Sequence, residues 1–223
     1  MTGSDLLFWD VDTQVDFMLQ SGKLYVPGSE EIIPALRRLT DYAHGHGIRI
    51  LASADDHVAG HRELSATPDW RETFPEHCMR GTAGQQKIPA TELHNPLVIE
   101  PAPEDPAALD RRVRAHHGDL LLLKHWFDVF TNPNLLPALD AMRPARIVLY
   151  GVALDVCDRY AIEGFMQHRP AIRLFAVTDA MKPIDRDVAE QMLKEWGEEG
   201  VRLVKTSEVV VGGLVEQLAQ AGA

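Results

Sequence analysis

"RIVLYGVALDVCDRYAIEGFMQH" occupies residues 146–168. Its opening, "RIVLYG" (146–151), is a β-branched and aliphatic run of strand length without polar alternation. A strand apolar on both faces is covered on both faces, which is the habit of a parallel sheet. Beyond the glycine, "DVCDRYAIEGFMQH" (155–168) switches to helical spacing. Strand, glycine turn and helix in direct succession predict a βα unit.

The same alternation recurs in both directions. Strands are expected at 6–12, 48–53, 96–100, 119–124, 172–179 and 201–205, several apolar throughout. Helices are expected at 29–47, 132–142, 185–200 and 207–220; Ser29 can cap the first, Gly47 ends it, and Asn-Pro opens the second. The pattern predicts an α/β fold: a doubly wound, mostly parallel sheet with helices on both faces. With no internal repeat, low-complexity tract or linker, residues 1–223 read as one domain. The exception is a long, polar stretch at about 54–95, rich in His, Pro and Gly. Loops of that length in compact domains are usually functional or disordered, and this composition favours function.

Composition excludes several classes. The formal net charge of −11 works against a nucleic-acid or anionic-membrane surface, which needs clustered Lys and Arg. The longest basic patch, "DRRVRAHH" (110–117), reads as a solvated helix face. Two cysteines make no disulfide framework. The N-terminus lacks a basic n-region and an apolar h-region, so no signal peptide is read. No apolar run approaches the ~20 residues that span a bilayer. A reducing, cytoplasmic setting is expected.

In open parallel sheets, ligands bind at the carboxyl ends of the strands. Here those ends carry Asp10 and Asp12, then Asp55 and His57, then Lys124, then Asp155 and Cys157. Cys157 alone reads as a buried small hydrophobe, as most free cysteines are. Placed in the first helical turn, it also reads as a nucleophile, because backbone N–H groups and the helix dipole there stabilise a thiolate or an oxyanion. Asp12, on the same strand face as Asp10, is a candidate base with Lys124 as its partner; a structural ion pair is the plainer reading. In "SADDHVAGH" (53–61), Asp55 and His57 stand two apart, with His61 and His77 further on. Carboxylate with imidazoles suits Zn²⁺, Fe²⁺ or Mn²⁺, and a solvated loop is the alternative. Cys78 reads as packing.

Taken together, these segments resemble the cysteine-hydrolase superfamily of nicotinamidases, isochorismatases and N-carbamoyl amidohydrolases, from about residue 6 to about 205. "DVDTQVDF" (10–17) is similar to the family's Asp-x-Gln-x-Asp-Phe opening, "LLLLK" (120–124) to its lysine strand, and "GVALDVC" (151–157) to its nucleophile motif. The resemblance implies Asp12, Lys124 and Cys157 as the catalytic residues. It implies an oxyanion hole from the N–H groups of Ala153 and Cys157, and a cis peptide at Val152–Ala153. "SADDH" and "FPEHCMRGTAG" (74–84) look most like nicotinamidases. That implies a divalent metal, zinc first with iron or manganese as alternatives, on Asp55, His57 and His77, with His61 as a further ligand candidate. Phe17, Phe74 and Val152 fall at substrate-lining positions. The implied reaction is hydrolysis of a small amide, nicotinamide first, through a thioester, and homo-oligomers are expected. The alternatives are a carbamoyl, ureido or maleamate-type amide hydrolase, or a non-catalytic ligand-binding homologue. The chain departs from the pattern at Asp56, where an aromatic residue is usual, at Val15 in "QVD", and in "KHWFDVFTNPNL" (124–135).

Overall fold

The computed structural model describes residues 5–212 and residue 214. Seven strands form one parallel sheet: β1 (Leu6–Val11), β2 (Ile50–Asp55), β3 (Leu97–Ile99), β4 (Leu120–Lys124), β5 (Arg146–Val152), β6 (Arg173–Lys182) and β7 (Arg202–Val204). They lie in the order β3-β4-β2-β1-β5-β6-β7. Each expected strand is present, shifted by a residue or two, except that β6 runs on to Lys182. Its register against β5 slips between Leu149 and Gly151, which lets β6 carry the extra residues.

The central strands are buried along their whole length, which is why they show no polar alternation. The period of two survives instead as a division between two cores. Leu7, Trp9 and Val11 enter one, with residues of α3 (Pro106–Ala115), α4 (Leu135–Met142), α5 (Arg159–His168) and α6 (Arg186–Glu198). Leu6 and Phe8 enter the other, with α1 (Val15–Met18), α2 (Ile33–Gly45) and α7 (Thr206–Val210). The sheet is therefore doubly covered, as expected. Trp9 anchors the first core edge-on to Phe165, ring centroids 4.9 Å apart. No helix among the described residues is long and apolar enough to cross a membrane.

The basic patch does lie on a helix, α3, whose Leu109 and Val113 are buried while Arg111, Arg112 and Arg114 are exposed. Asp105 starts it by accepting from the Ala108 N–H at 2.8 Å, followed by Pro106 in the first turn. Of the helix expected at 207–220, Thr206–Val210 is observed, and most of the remainder lies outside the described residues.

Topology assembles the rim. The chain runs β1, β2, β3, β4 on one side of β1, then crosses to its other side at β5, so β1 and β5 flank a switch point. Val11 is level with Gly151, and Asp55 is level with Lys124. The carboxyl ends of β4, β2, β1 and β5 thus stand side by side. Gly151 permits the β1–β5 junction: its φ is +144°, and a Cβ there would collide with the Val11 carbonyl.

The long polar stretch is an excursion between β2 and β3. It begins after Asp55, since Ala54 and Asp55 still belong to the strand. It has little regular structure but is pinned at several points. His57 N–H donates to Cys78 O at 3.1 Å, and Arg80 N–H donates to His57 O at 2.7 Å. Phe74 N–H donates to Glu63 O at 2.7 Å, and Ser65 N–H donates to Phe74 O at 2.8 Å. The buried Asp16 carboxylate accepts from Cys78 N–H at 2.7 Å and from Lys23 N–H at 3.0 Å. Gly84 lies against the same carboxylate, where a Cβ would collide with its oxygens.

Candidate active site

Asp12 leaves the strand. It stands just past β1 with φ +48°, so it does not share a strand face with Asp10 as the alternation implies. The two carboxylates find different partners. Asp10 pairs with Lys87 at 3.0 Å and accepts from Thr13 Oγ1 at 2.8 Å. Asp12 pairs with Lys124 at 2.9 Å and accepts from Ser53 Oγ at 2.7 Å. The turn between them is held by Gln14, whose amide acts as a short piece of backbone. Its Nε2 donates to Asp55 O at 2.8 Å, and its Oε1 accepts from Asp55 N–H at 2.7 Å.

Lys124 is fully buried between Asp12 and Asp55 and also approaches Cys157 Sγ at 3.8 Å. Burial would lower its pKa, but Asp12, Asp55 and Cys157 hold it well above the usual lysine value. It is a fixed ammonium. Burial pushes the Cys157 thiol up; Lys124 opposes this, and Asp12, accepting the thiol's hydrogen bond, adds to it. Burial and the neighbouring carboxylates thus work against the thiolate that the helix start would favour. The ammonium is shared by two carboxylates, and desolvation outweighs what remains for sulfur.

Cys157 lies in a wide turn, Leu154–Asp158, leading into α5. The Ala153 carbonyl accepts from both Val156 N–H at 3.0 Å and Asp158 N–H at 3.1 Å. The Val152–Ala153 peptide is cis. Next to the thiol, Asp158 is fully buried and neither carboxyl oxygen has a hydrogen-bond partner. Burial, then Asp12 and Asp10, raise its pKa well above the usual value.

A second group adjoins the first through Asp55. Asp55, His57, Glu63 and His77 are all buried, and one ligand atom of each lies within 4.8 Å of every other. His77 Nε2 is 3.5 Å from Glu63 and 3.7 Å from Asp55, and His57 Nε2 is 3.9 Å from both. His57 Nε2, His77 Nε2 and Glu63 Oε2 have no hydrogen-bond partner. Buried polar atoms almost always have one, and a divalent cation would satisfy all four residues at once. His77 Nδ1 donates to the Pro75 carbonyl at 2.8 Å, which leaves Nε2 of the neutral ring as the ligand atom. The donor set fits a divalent metal of the zinc, iron or manganese kind. Burial alone would lower His77, but Asp55 and Glu63 hold it up to about 10, so a cation must displace a proton there. Burial lowers His57 to about 4.

Three of the four residues expected at the metal are in this group. His61 is not. Its Nδ1 lies 3.3 Å from His57 Nδ1, so it backs a ligand candidate instead of joining the set. Glu63 takes that place, delivered by the bridge between Leu64 and Phe74. No local motif marked Glu63; the available signal was a carboxylate within an excursion already rich in ligand types. Asp56, at the departed position, accepts from Arg80 Nε at 2.9 Å and Gln85 Nε2 at 2.6 Å and stays outside the group.

A cavity of about 360 Å³ opens over both groups. Cys157, Ala153 and Val152 line it, as do Phe17 and Phe74, with Asp55 and Glu63 on the metal side. Every residue expected at the substrate thus meets in one cavity. Leu24, Tyr25, Val26, Pro27, Trp70, Phe127, Val156 and Ile184 complete it, and no Lys or Arg lines it.

The isochorismatase domain model matches residues 6–207. The chain is 26% identical over 204 residues to the nicotinamidase/pyrazinamidase of Mycobacterium tuberculosis, covering 88% of this chain and 97% of that one. The fold matches the zinc complex of Pyrococcus horikoshii pyrazinamidase with a TM-score of 0.69, at 22% identity, over 90% of this chain and 99% of that one. It also matches the N-carbamoylsarcosine amidase of Thermoplasma acidophilum with a TM-score of 0.66, at 20% identity, over 91% of this chain and 97% of that one. With the parallel sheet, the thiol at the switch point and the buried ligand group, these matches establish that the chain belongs to the isochorismatase-domain family of hydrolases and, within it, resembles the nicotinamidases.

Proposed function

We propose that this chain is a metal-containing amide hydrolase with Cys157 as nucleophile, Asp12 as acid and base and Lys124 as the positioning cation, acting on a neutral aromatic amide, nicotinamide first. The observation that carries the reading is the ordered contact of thiol, ammonium and carboxylate: Lys124 Nζ is 3.8 Å from Cys157 Sγ and 2.9 Å from Asp12. All three are buried, and Cys157 lines the cavity.

Burial works against a resting thiolate, so in this reading attack and proton transfer are coupled. Asp12 takes the thiol proton as sulfur adds to the amide carbonyl. Ser53 and Lys124 fix that carboxylate, and the N–H groups of Ala153 and Cys157 receive the oxyanion. Asp12 then gives its proton to the departing ammonia. Water, deprotonated by Asp12, cleaves the thioester and restores the thiol. Asp55, His57, Glu63 and His77 would hold the metal, zinc first; when bound it supplies a Lewis-acidic anchor for a substrate lone pair such as a ring nitrogen.

Charge favours a neutral substrate. Maleamate and N-carbamoyl amino acids carry a carboxylate, and the lining offers no Lys or Arg to meet it while presenting Asp55 and Glu63. The two buried free thiols accord with a reducing, cytoplasmic setting, and the assembly in this reading is a homo-oligomer. Ammonia release from nicotinamide, benzamide, maleamate and an N-carbamoyl amino acid tests the assignment. Release from the neutral amides that vanishes in Cys157→Ala is expected; turnover confined to the acidic substrates would overturn it.

A further inference from the structure

Two of the most exposed large apolar side chains among the described residues, Trp70 at 63% and Ile184 at 58%, both lie on the rim of the same cavity. Exposed apolar groups gathered at one opening mark a binding surface more often than chance. Each is held there by an aspartate. Asp69 Oδ1 accepts from the N–H groups of Arg71, Glu72 and Thr73, each at 2.9 Å, and Trp70 N–H donates to Thr73 O at 3.1 Å. This knot holds Trp70 at φ +61°, an unfavourable backbone state for a bulky residue. Trp70 meets Phe74 edge-on at 6.4 Å, continuing the aromatic wall outward. Asp155 in turn accepts from Ile184 N–H at 2.9 Å and Asp185 N–H at 2.8 Å, tying the second rim turn to the segment that carries Cys157. A strained, solvent-facing tryptophan fixed by four residues of local hydrogen bonding is costly unless something packs on it.

We propose that Trp70 and Ile184 form an outer apolar subsite, so that among neutral aromatic amides the site prefers one with a second ring or similar apolar extension beyond the ring seated against Phe17 and Phe74 over nicotinamide itself. The inference rests on the amide-hydrolase reading and names the substrate class more narrowly. The cavity volume of about 360 Å³ is consistent with it, lying within the ~300–1,000 Å³ of drug-sized ligand sites. The lining has no Lys or Arg to meet an anionic extension, and Trp70 and Ile184 offer an apolar one a surface to pack on.

Binding separates the subsite from the chemistry. Calorimetry on metal-loaded Cys157→Ala compares quinoline-3-carboxamide with nicotinamide, and ammonia release is followed in the wild-type enzyme. The bicyclic amide should bind about ten-fold tighter, a preference from ring packing on Trp70 and Ile184. Trp70→Ala or Ile184→Ser in the same background should remove most of that preference, and Trp70→Phe should keep most of it. Equal affinity for the two amides, or a Trp70→Ala effect of the same size on both, overturns the subsite. Preserved preference without ammonia release from either amide in the wild type overturns the hydrolase reading and leaves the subsite standing.

Discussion

At one end of the rim the protein closes its own electrostatics; at the other it does not. Asp12, Lys124 and Cys157 form an ion-paired set with Ser53, in which even Asp12 Oδ2, without a hydrogen bond of its own, has the Lys124 ammonium 2.9 Å away. Asp55, His57, Glu63 and His77 are as deeply buried, yet three of their polar atoms have no hydrogen-bond partner. Lys124 touches both ends, through Asp12 and Asp55. Lys124 serves two carboxylates, and Asp55 and Glu63 still face His57 and His77 across a gap that a divalent cation would fill. A complete buried ion pair describes a group that works alone, and an incomplete one describes a group built for a visitor.

The comparison can be broken from the complete end first. Cys157→Ala should reduce amide turnover by about 10⁴-fold or more, since removing a nucleophile leaves only binding and oxyanion stabilisation. Thermal unfolding should change little, and the ammonia assay reads the loss. Lys124→Met comes next. It strips the cation from two buried carboxylates and should cost about 3–5 kcal/mol in urea unfolding, together with activity. Wild-type stability in that variant would mean the pair is less dependent on its ammonium than its geometry implies.

At the incomplete end, Glu63→Ala should lower zinc affinity by more than His61→Ala. The His61 change is expected at about 10–100-fold, the usual effect of an outer partner. Metal competition against a chromophoric chelator gives both numbers, and the reverse order would restore His61 as a ligand.

Asp158 gives the smallest effect and the sharpest contrast, being buried with neither carboxyl oxygen hydrogen-bonded. Its folded pKa is raised above the ordinary aspartate value of 3.8. The unfolded chain releases that proton as pH passes 3.8, while the folded chain keeps it. Stability from this group is therefore fully present below about pH 4 and is lost as pH rises towards the raised folded value. Asp158→Asn should flatten that decline and add about 1 kcal/mol or more at pH 7, measured by urea unfolding across pH.

Much of this was legible in the sequence where chemistry and local pattern coincide. "LLLLK" declares both a buried strand and a charge at its end, and "GVALDVC" a strand, a turn and a thiol. Three things were not legible, each because tertiary contacts decide them. Asp10 and Asp12 look equivalent two apart on a strand, but the strand stops at Val11 and the left-handed turn at Asp12 sends it to a different lysine. Glu63 is one acid among many until the pairing of Leu64 with Phe74 brings it beside His77. The protonation of Cys157 depends on how Lys124 divides its charge, which no spacing states.

Asp16 has a consequence for timing. Its carboxylate ties α1 to Cys78, one residue after His77, and lies against Gly84. The irregular excursion is therefore riveted beside its most important histidine, and the ligand cage is preformed. An ion arriving through the cavity, which Asp55 and Glu63 already line, meets donors in place, and leaving means giving up all of them together. Release should therefore be the slow step of metal exchange.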